Sequence, residues 1–221
     1  MRTLVLLVAA SVTGTALVAQ DADRTVKGGI SVAGWTGRID RRAASQGKTI
    51  ADSKFAAEGS DLRLSVGPAA VYWNPANTAS GDYVVKATFK EHKMAASHPH
   101  SYGIFIGGSA LESETEKLMY CIAYGDGTYQ IRSFNGATVT TLVDRAAHPA
   151  VKKADASGVA TNEIGWKVQG NKVSCLINGA EATTFSKTED AAKIGSVDGL
   201  YGIRVSHNLE LTVSGLAKSK P

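Results

Sequence analysis

"NEIGWKVQGNKVSCLING", residues 162–179, alternates apolar and polar side chains on either side of a Gly-Asn pair. Period-two alternation marks a half-buried strand, and Gly170-Asn171 suits a two-residue primed turn joining two of them. That turn sets Val168 opposite Val173, Trp166 opposite Cys175 and Ile164 opposite Ile177. Strand side chains alternate between faces, so all six share one face, and that face is core.

The same pattern recurs outward from this hairpin. "YVVKATFK", residues 83–90, places Tyr83, Val85, Ala87 and Phe89 on one side and Val84, Lys86, Thr88 and Lys90 on the other, as a half-buried antiparallel strand does. In "YCIAYGDGTYQIR", residues 120–132, an Asp126-Gly127 turn sets Tyr124 opposite Tyr129 and Ile122 opposite Ile131. It leaves Cys121, Ala123, Gln130 and Arg132 on a wet reverse face. The 23 glycines and 5 prolines suit many short turns, and no long window repeats apolar residues at helical spacing. An all-β fold, either a sandwich or a barrel, is therefore predicted.

That register bears on the two cysteines. Cys175 falls on the core face and Cys121 on the reverse of its own hairpin, so a bridge would need a bulge or a shifted turn. The expectation is two unpaired thiols.

The succession "GDYVVKATF" (81–89), "HSYGIFIGG" (100–108), "LMYCIAYGDGTYQIRSFNG" (118–136), "NEIGWKVQGNKVSCLINGAE" (162–181) and "DGLYGIRVSHNLELTVSGL" (198–216) resembles the concanavalin A-like lectin/glucanase superfamily. Within it, the chain is similar to the secreted 3-keto-disaccharide hydrolase-like domains. The most specific element is "VSCLINGAE" (173–181) followed by "GLYGIRV" (199–205). The resemblance implies a two-sheet antiparallel jelly-roll sandwich whose concave face often binds sugar. Its members include enzymes, lectins and inert modules, so fold alone does not give activity.

Laminarinase-type members of this superfamily carry Glu-x-Asp-x-x-Glu on a strand, with apolar residues between the acids. "ALESETEKLMY" (110–120) offers Glu112, Glu114 and Glu116, but Ser113 and Thr115 lie between them and nothing apolar anchors the back. The resemblance puts a loop there, and a solvated acidic loop is expected rather than a catalytic pair. No catalytic residue is singled out. His98 and His100 in "SHPHSYG", with His207 in "RVSHNLEL", could approach a metal, since His-x-His on a strand puts both rings on one side. No Cys or acidic partner is fixed by spacing, so structural or surface histidines are expected. No cofactor is expected, apart from structural calcium held by carbonyls and scattered carboxylates that no sequence spacing reveals.

Met1-Arg2, the apolar run Leu4 to Ala10 and the small residues through Ala19 read as a secretory signal peptide over residues 1–19. The run is too short to span a membrane, and no second one follows, so no integral membrane domain is expected. Residues 20–29 then form an N-terminal extension, 30–217 the jelly roll and 218–221 a tail, in a secreted or periplasmic protein. The 24 Lys+Arg against 20 Asp+Glu, a net +4, are scattered rather than striped, which argues against a nucleic-acid partner. What remains is a glycan or polysaccharide, whose rings stack on aromatics and whose hydroxyls bond polar side chains. Trp73, His100, Tyr102, Gln130, Arg132 and Asn135 are the candidate ligand-binding residues. The expected function is an exported carbohydrate-binding module or accessory protein. The alternatives are a glycoside hydrolase of the 3-keto-glycoside hydrolase type and a non-catalytic structural or protein-interaction module.

Overall fold

A computed structural model describes residues 21–221, so the expected leader lies outside the described residues. Two sheets face each other. One has eight strands in the order β1 (Gly29–Ile30), β3 (Lys54–Glu58), β4 (Asp61–Ser65), β15 (Glu210–Ser219), β6 (Tyr83–Glu91), β11 (Ala160–Gln169), β12 (Lys172–Ile177) and β13 (Ala180–Ser186). The other has seven, in the order β10 (Thr138–Ala147), β9 (Thr128–Asn135), β8 (Lys117–Tyr124), β7 (Ser101–Ser109), β14 (Gly199–Val205), β5 (Ala70–Ala79) and β2 (Thr36–Ile39). Every pairing is antiparallel except the short β1–β3 contact. Among the described residues the two α-helices, α1 (Arg41–Ser45) and α2 (Ala191–Ile194), are each about one turn long. The chain thus has the concanavalin A-like jelly-roll fold. Among the described residues, no helix is long and apolar enough to cross a membrane.

The β11–β12 hairpin has the register its sequence predicts: Val168 faces Val173, Trp166 faces Cys175 and Ile164 faces Ile177. Gly170 takes a φ of 56° while Asn171 stays out of the left-handed region, the pattern of a II′ turn. All six side chains are fully buried. Tyr83, Val85, Ala87 and Phe89 of β6 join them in the same core. Trp166 spans the sandwich and donates Nε1–H to the Ile104 carbonyl of β7 at 3.0 Å.

The β8–β9 hairpin differs from expectation by one residue. Ala123 faces Tyr129, Ile122 faces Gln130 and Cys121 faces Ile131. An Asp-Gly primed turn needs positive φ at both central residues, yet here only Gly127 has it, at 95°. Asp126 instead accepts from Thr128 N and Oγ1 at 3.0 and 2.6 Å, while Arg145 Nη2 donates to its other oxygen at 2.6 Å. With Gly127 N donating to the Tyr124 carbonyl, the loop gains a residue. A one-residue slip moves a strand's side chains to the other face. Tyr129 and Ile131 still point inward, but Ile122 and Tyr124 turn outward, and Cys121 and Ala123 turn into the core.

The expectation of unpaired thiols is thereby corrected: Cys121 and Cys175 form a disulfide, with Cα atoms 6.2 Å apart. The bond ties β8 in the seven-stranded sheet to β12 in the eight-stranded one.

Candidate functional site

The outer face of the seven-stranded sheet carries a second apolar cluster, separate from the sandwich core: Val71, Trp73, Phe105, Leu118, Tyr120 and Ile122, joined by Leu111. Trp73 and Arg132 lie on one row across the sheet, linked by the pairs Trp73–Gly202, Gly202–Phe105, Phe105–Tyr120 and Tyr120–Arg132. Arg204 lies on the same face, with its guanidinium 5.2 Å from the Tyr120 ring and 5.4 Å from the Phe134 ring. Asp40, just before α1, closes a bidentate ion pair with it, one arm being 2.7 Å. Burial alone would raise the Asp40 carboxyl, but the Arg204 charge overrides it and holds the group below the usual carboxylate range.

The acidic stretch forms the β7–β8 loop, as expected, but only part of it is solvated. Glu112 and Glu114 are exposed, whereas Glu116 is buried. Arg38 of β2 contacts both Glu114 and Glu116, the latter at 2.9 Å, and Arg41 of α1 meets Glu114 at 3.0 Å. The same two arginines donate to the Ser113 and Glu114 carbonyls. Burial pushes the Glu116 carboxyl above its ordinary value, against the pull of Arg38 and Arg41. Since β14 and β5 separate β7 from β2 in the sheet, the loop is a strap clamped to the far edge of the outer face.

At one end of this sheet the strand termini frame an open cleft of about 690 Å³. It is lined by Asp21, residues 97–101, Tyr124, Arg145, Ser206 and His207. His100 ends the approach to β7 and His207 follows β14. Their spacing is set by the link between those strands, where Ser101 N donates to Ser206 Oγ and Ser206 N to the Ser101 carbonyl, both at 2.8 Å. The two imidazoles meet edge to face with centroids 4.4 Å apart. His100 Nε2 lies 3.1 Å from Asp21 Oδ2, and His207 Nδ1 lies 2.6 Å from Asp23 Oδ1. Burial and the neighbouring His207 hold the His100 imidazole below its ordinary range, against Asp21. On the opposite wall the Arg145 guanidinium stacks 3.8 Å over the Tyr124 ring, and Tyr124 Oη donates to Gln130 Oε1 at 3.2 Å.

The sequence candidates therefore separate. His100 lines the cleft, Gln130 touches its wall through Tyr124, and Arg132 continues along the same face to the Tyr120 hydroxyl. Gln130 is enclosed rather than wet, at 7% exposure. Trp73 is 2% exposed, so neither ring face is open. Tyr102 is fully buried, stacked on Phe89 and hydrogen-bonded by Asn162. Asn135 is exposed at the end of β9 remote from the cleft. His98 and His100 precede the strand instead of sharing a strand face, and His98 is exposed while His100 is buried. Sequence reasoning missed Asp21, Tyr124 and Arg145. Asp21 and His207 are 186 positions apart, and only the chain ends meeting brings them together.

No protein-family model matches the chain, and no curated protein matches it. Solved structures do. A carbohydrate-binding module of type CBM66 from Bacillus subtilis superposes with a TM-score of 0.58 at 7% identity, covering 87% of this chain and 99% of that one. A protein of unknown function with a galectin-like fold, also from Bacillus subtilis, gives 0.58 at 13% identity over 84% and 89%. The endo-beta-1,3-glucanase from Pyrococcus furiosus gives 0.54 at 11% over 83% and 87%. At such identities the likeness is one of fold.

Proposed function

We propose that the chain is an exported carbohydrate-binding module or accessory protein that takes a short glycan in the cleft at the end of the seven-stranded sheet. The observation that carries this reading is the lining of that cleft. A volume of about 690 Å³ falls within the range of small-ligand sites and offers hydroxyls, imidazoles, a guanidinium and one half-buried aromatic, Tyr124. Sugar recognition uses those same groups. Arg132 lies farther along the same face and is partly exposed, so a longer glycan would run from Tyr124 toward Arg132. Support at the level of fold comes from the carbohydrate-binding module and the glucanase among the similar structures. The Cys121–Cys175 disulfide supports export, because such bonds persist in oxidising compartments.

A glycan array followed by calorimetry on the best ligand tests the reading, with reducing-sugar release assayed on the same ligand. Tyr124→Ala, Arg145→Ala and Arg132→Ala should each lose about 1 to 3 kcal/mol of affinity while still melting cooperatively. An array without a hit, or unchanged affinity in all three folded variants, would refute the proposal.

A further inference from the structure

From the clustering of Asp21, His100 and His207 in the cleft wall, we infer a binding site for a divalent transition metal of the zinc class. One carboxylate oxygen and two imidazole nitrogens lie within 4.8 Å of one another. Ligands about 2 Å from a shared tetrahedral ion stand about 3.3 Å apart, so the 3.1 Å between Asp21 Oδ2 and His100 Nε2 is already close to that spacing. His207 needs to move in by no more than about the remaining 1.5 Å, the excess of 4.8 Å over that edge.

The surroundings of each ligand argue for a built site rather than a chance meeting. Asp23 accepts from His207 Nδ1 at 2.6 Å, which fixes the tautomer and leaves Nε2 as the lone-pair donor. A carboxylate behind a ligating imidazole is the usual outer-shell partner of a metal-bound histidine. His100 is 6% exposed and held by the Ser101–Ser206 strand link. Asn208 clips the acidic segment in place: its Oδ1 accepts from Arg24 N at 2.8 Å and its Nδ2 donates to the Ala22 carbonyl at 3.0 Å. Asn208 adopts a φ of 56°, so a strained backbone position is maintained where it aims this side chain at residues 22–24. Two imidazoles and one carboxylate suit zinc, cobalt or nickel better than the all-oxygen preference of calcium or magnesium. Three protein ligands leave a fourth position open to the cleft, as in zinc sites that exchange water or bind an incoming oxygen.

The test needs no sugar, so it stands or falls apart from the glycan reading. Tag-free protein, beginning no later than Asp21, is titrated with Zn²⁺ by calorimetry and with Co²⁺ by visible absorption. One equivalent of each should bind, and cobalt should show the intense d–d bands of a four-coordinate rather than a six-coordinate ion. His207→Gln, at the more exposed of the two histidines, should weaken zinc binding at least about 100-fold, and Asp23→Asn about 10-fold, with His98→Gln unchanged. His100→Gln is paired with a circular dichroism spectrum, because its ring is buried. Absence of stoichiometric binding, or binding unchanged in a folded His100→Gln/His207→Gln variant, would overturn the inference.

Discussion

At the end of β6, Glu91 is 1% exposed and neither of its carboxylate oxygens has a hydrogen-bond partner among the described residues. Burial, with Asp126 nearby, pushes its carboxyl from 4.5 up to about 7. The fold therefore favours the protonated form. Below about pH 4.5 folded and unfolded chains are both protonated at this site, and burial carries no ionisation penalty. As pH rises toward 7, the unfolded chain releases the proton while the fold retains it, so stability falls by on the order of 3 kcal/mol and then levels off. Urea unfolding between pH 4.5 and 8 should show this decline in the wild type. Glu91→Gln should flatten the profile and be the more stable protein above pH 7; parallel curves would contradict the assignment. Nothing in "KEHKM" marks this glutamate as buried, because it continues the inward face of β6 where an apolar residue is the usual occupant.

Among elements, the two hairpins separate what could be read in the chain from what could not. In β11–β12 a two-residue loop left the turn little choice, and apolar alternation on both arms agreed with it. In β8–β9 the β8 arm is apolar on both faces, because Leu118, Tyr120 and Ile122 belong to the outer cluster while Met119, Cys121 and Ala123 belong to the core. Alternation then carries no information about facing, and the side-chain bonds of Asp126 decide the loop length. Trp73 belongs to that outer cluster too, so an aromatic expected to bind ligand is covered by its neighbours. The cleft was the least legible part: His100 was recognisable, but Asp21, Tyr124 and Arg145 acquire meaning only through long-range neighbours. Trp166→Ala should cost about 3 to 5 kcal/mol, since it empties a fully buried indole volume and removes the hydrogen bond to the Ile104 carbonyl. Chemical denaturation giving a near-neutral value would show that the hairpin does not face the sandwich interior.

On the scale of the molecule, the two sheets are joined by one covalent bond between residues 54 positions apart. Closing a loop of that length in the unfolded chain is worth about 4 kcal/mol in the chain-entropy account, with measured values for native bonds often nearer 2. Cys121→Ala/Cys175→Ala should therefore lower the melting temperature by about 5 to 15 °C while leaving the far-ultraviolet spectrum of an almost helix-free protein in place. An unchanged melting temperature would mean that packing alone sets the distance between the sheets.

Arg24 gives the molecule a further property. Its side chain donates to the Val66 and Leu209 carbonyls at 2.8 and 2.6 Å and pairs with Glu210, so the earliest described residues rest on the turn between the last two strands. A ribosome reaches residues 207–210 only 183 or more positions after Arg24. Until then Asp23 has no histidine to meet and Arg24 lacks Glu210, although Asp21 can already meet His100. The His207 wall of the cleft is thus completed only after the rest of its lining, and a chain cut short before His207 would keep His100, Tyr124 and Arg145 without that wall.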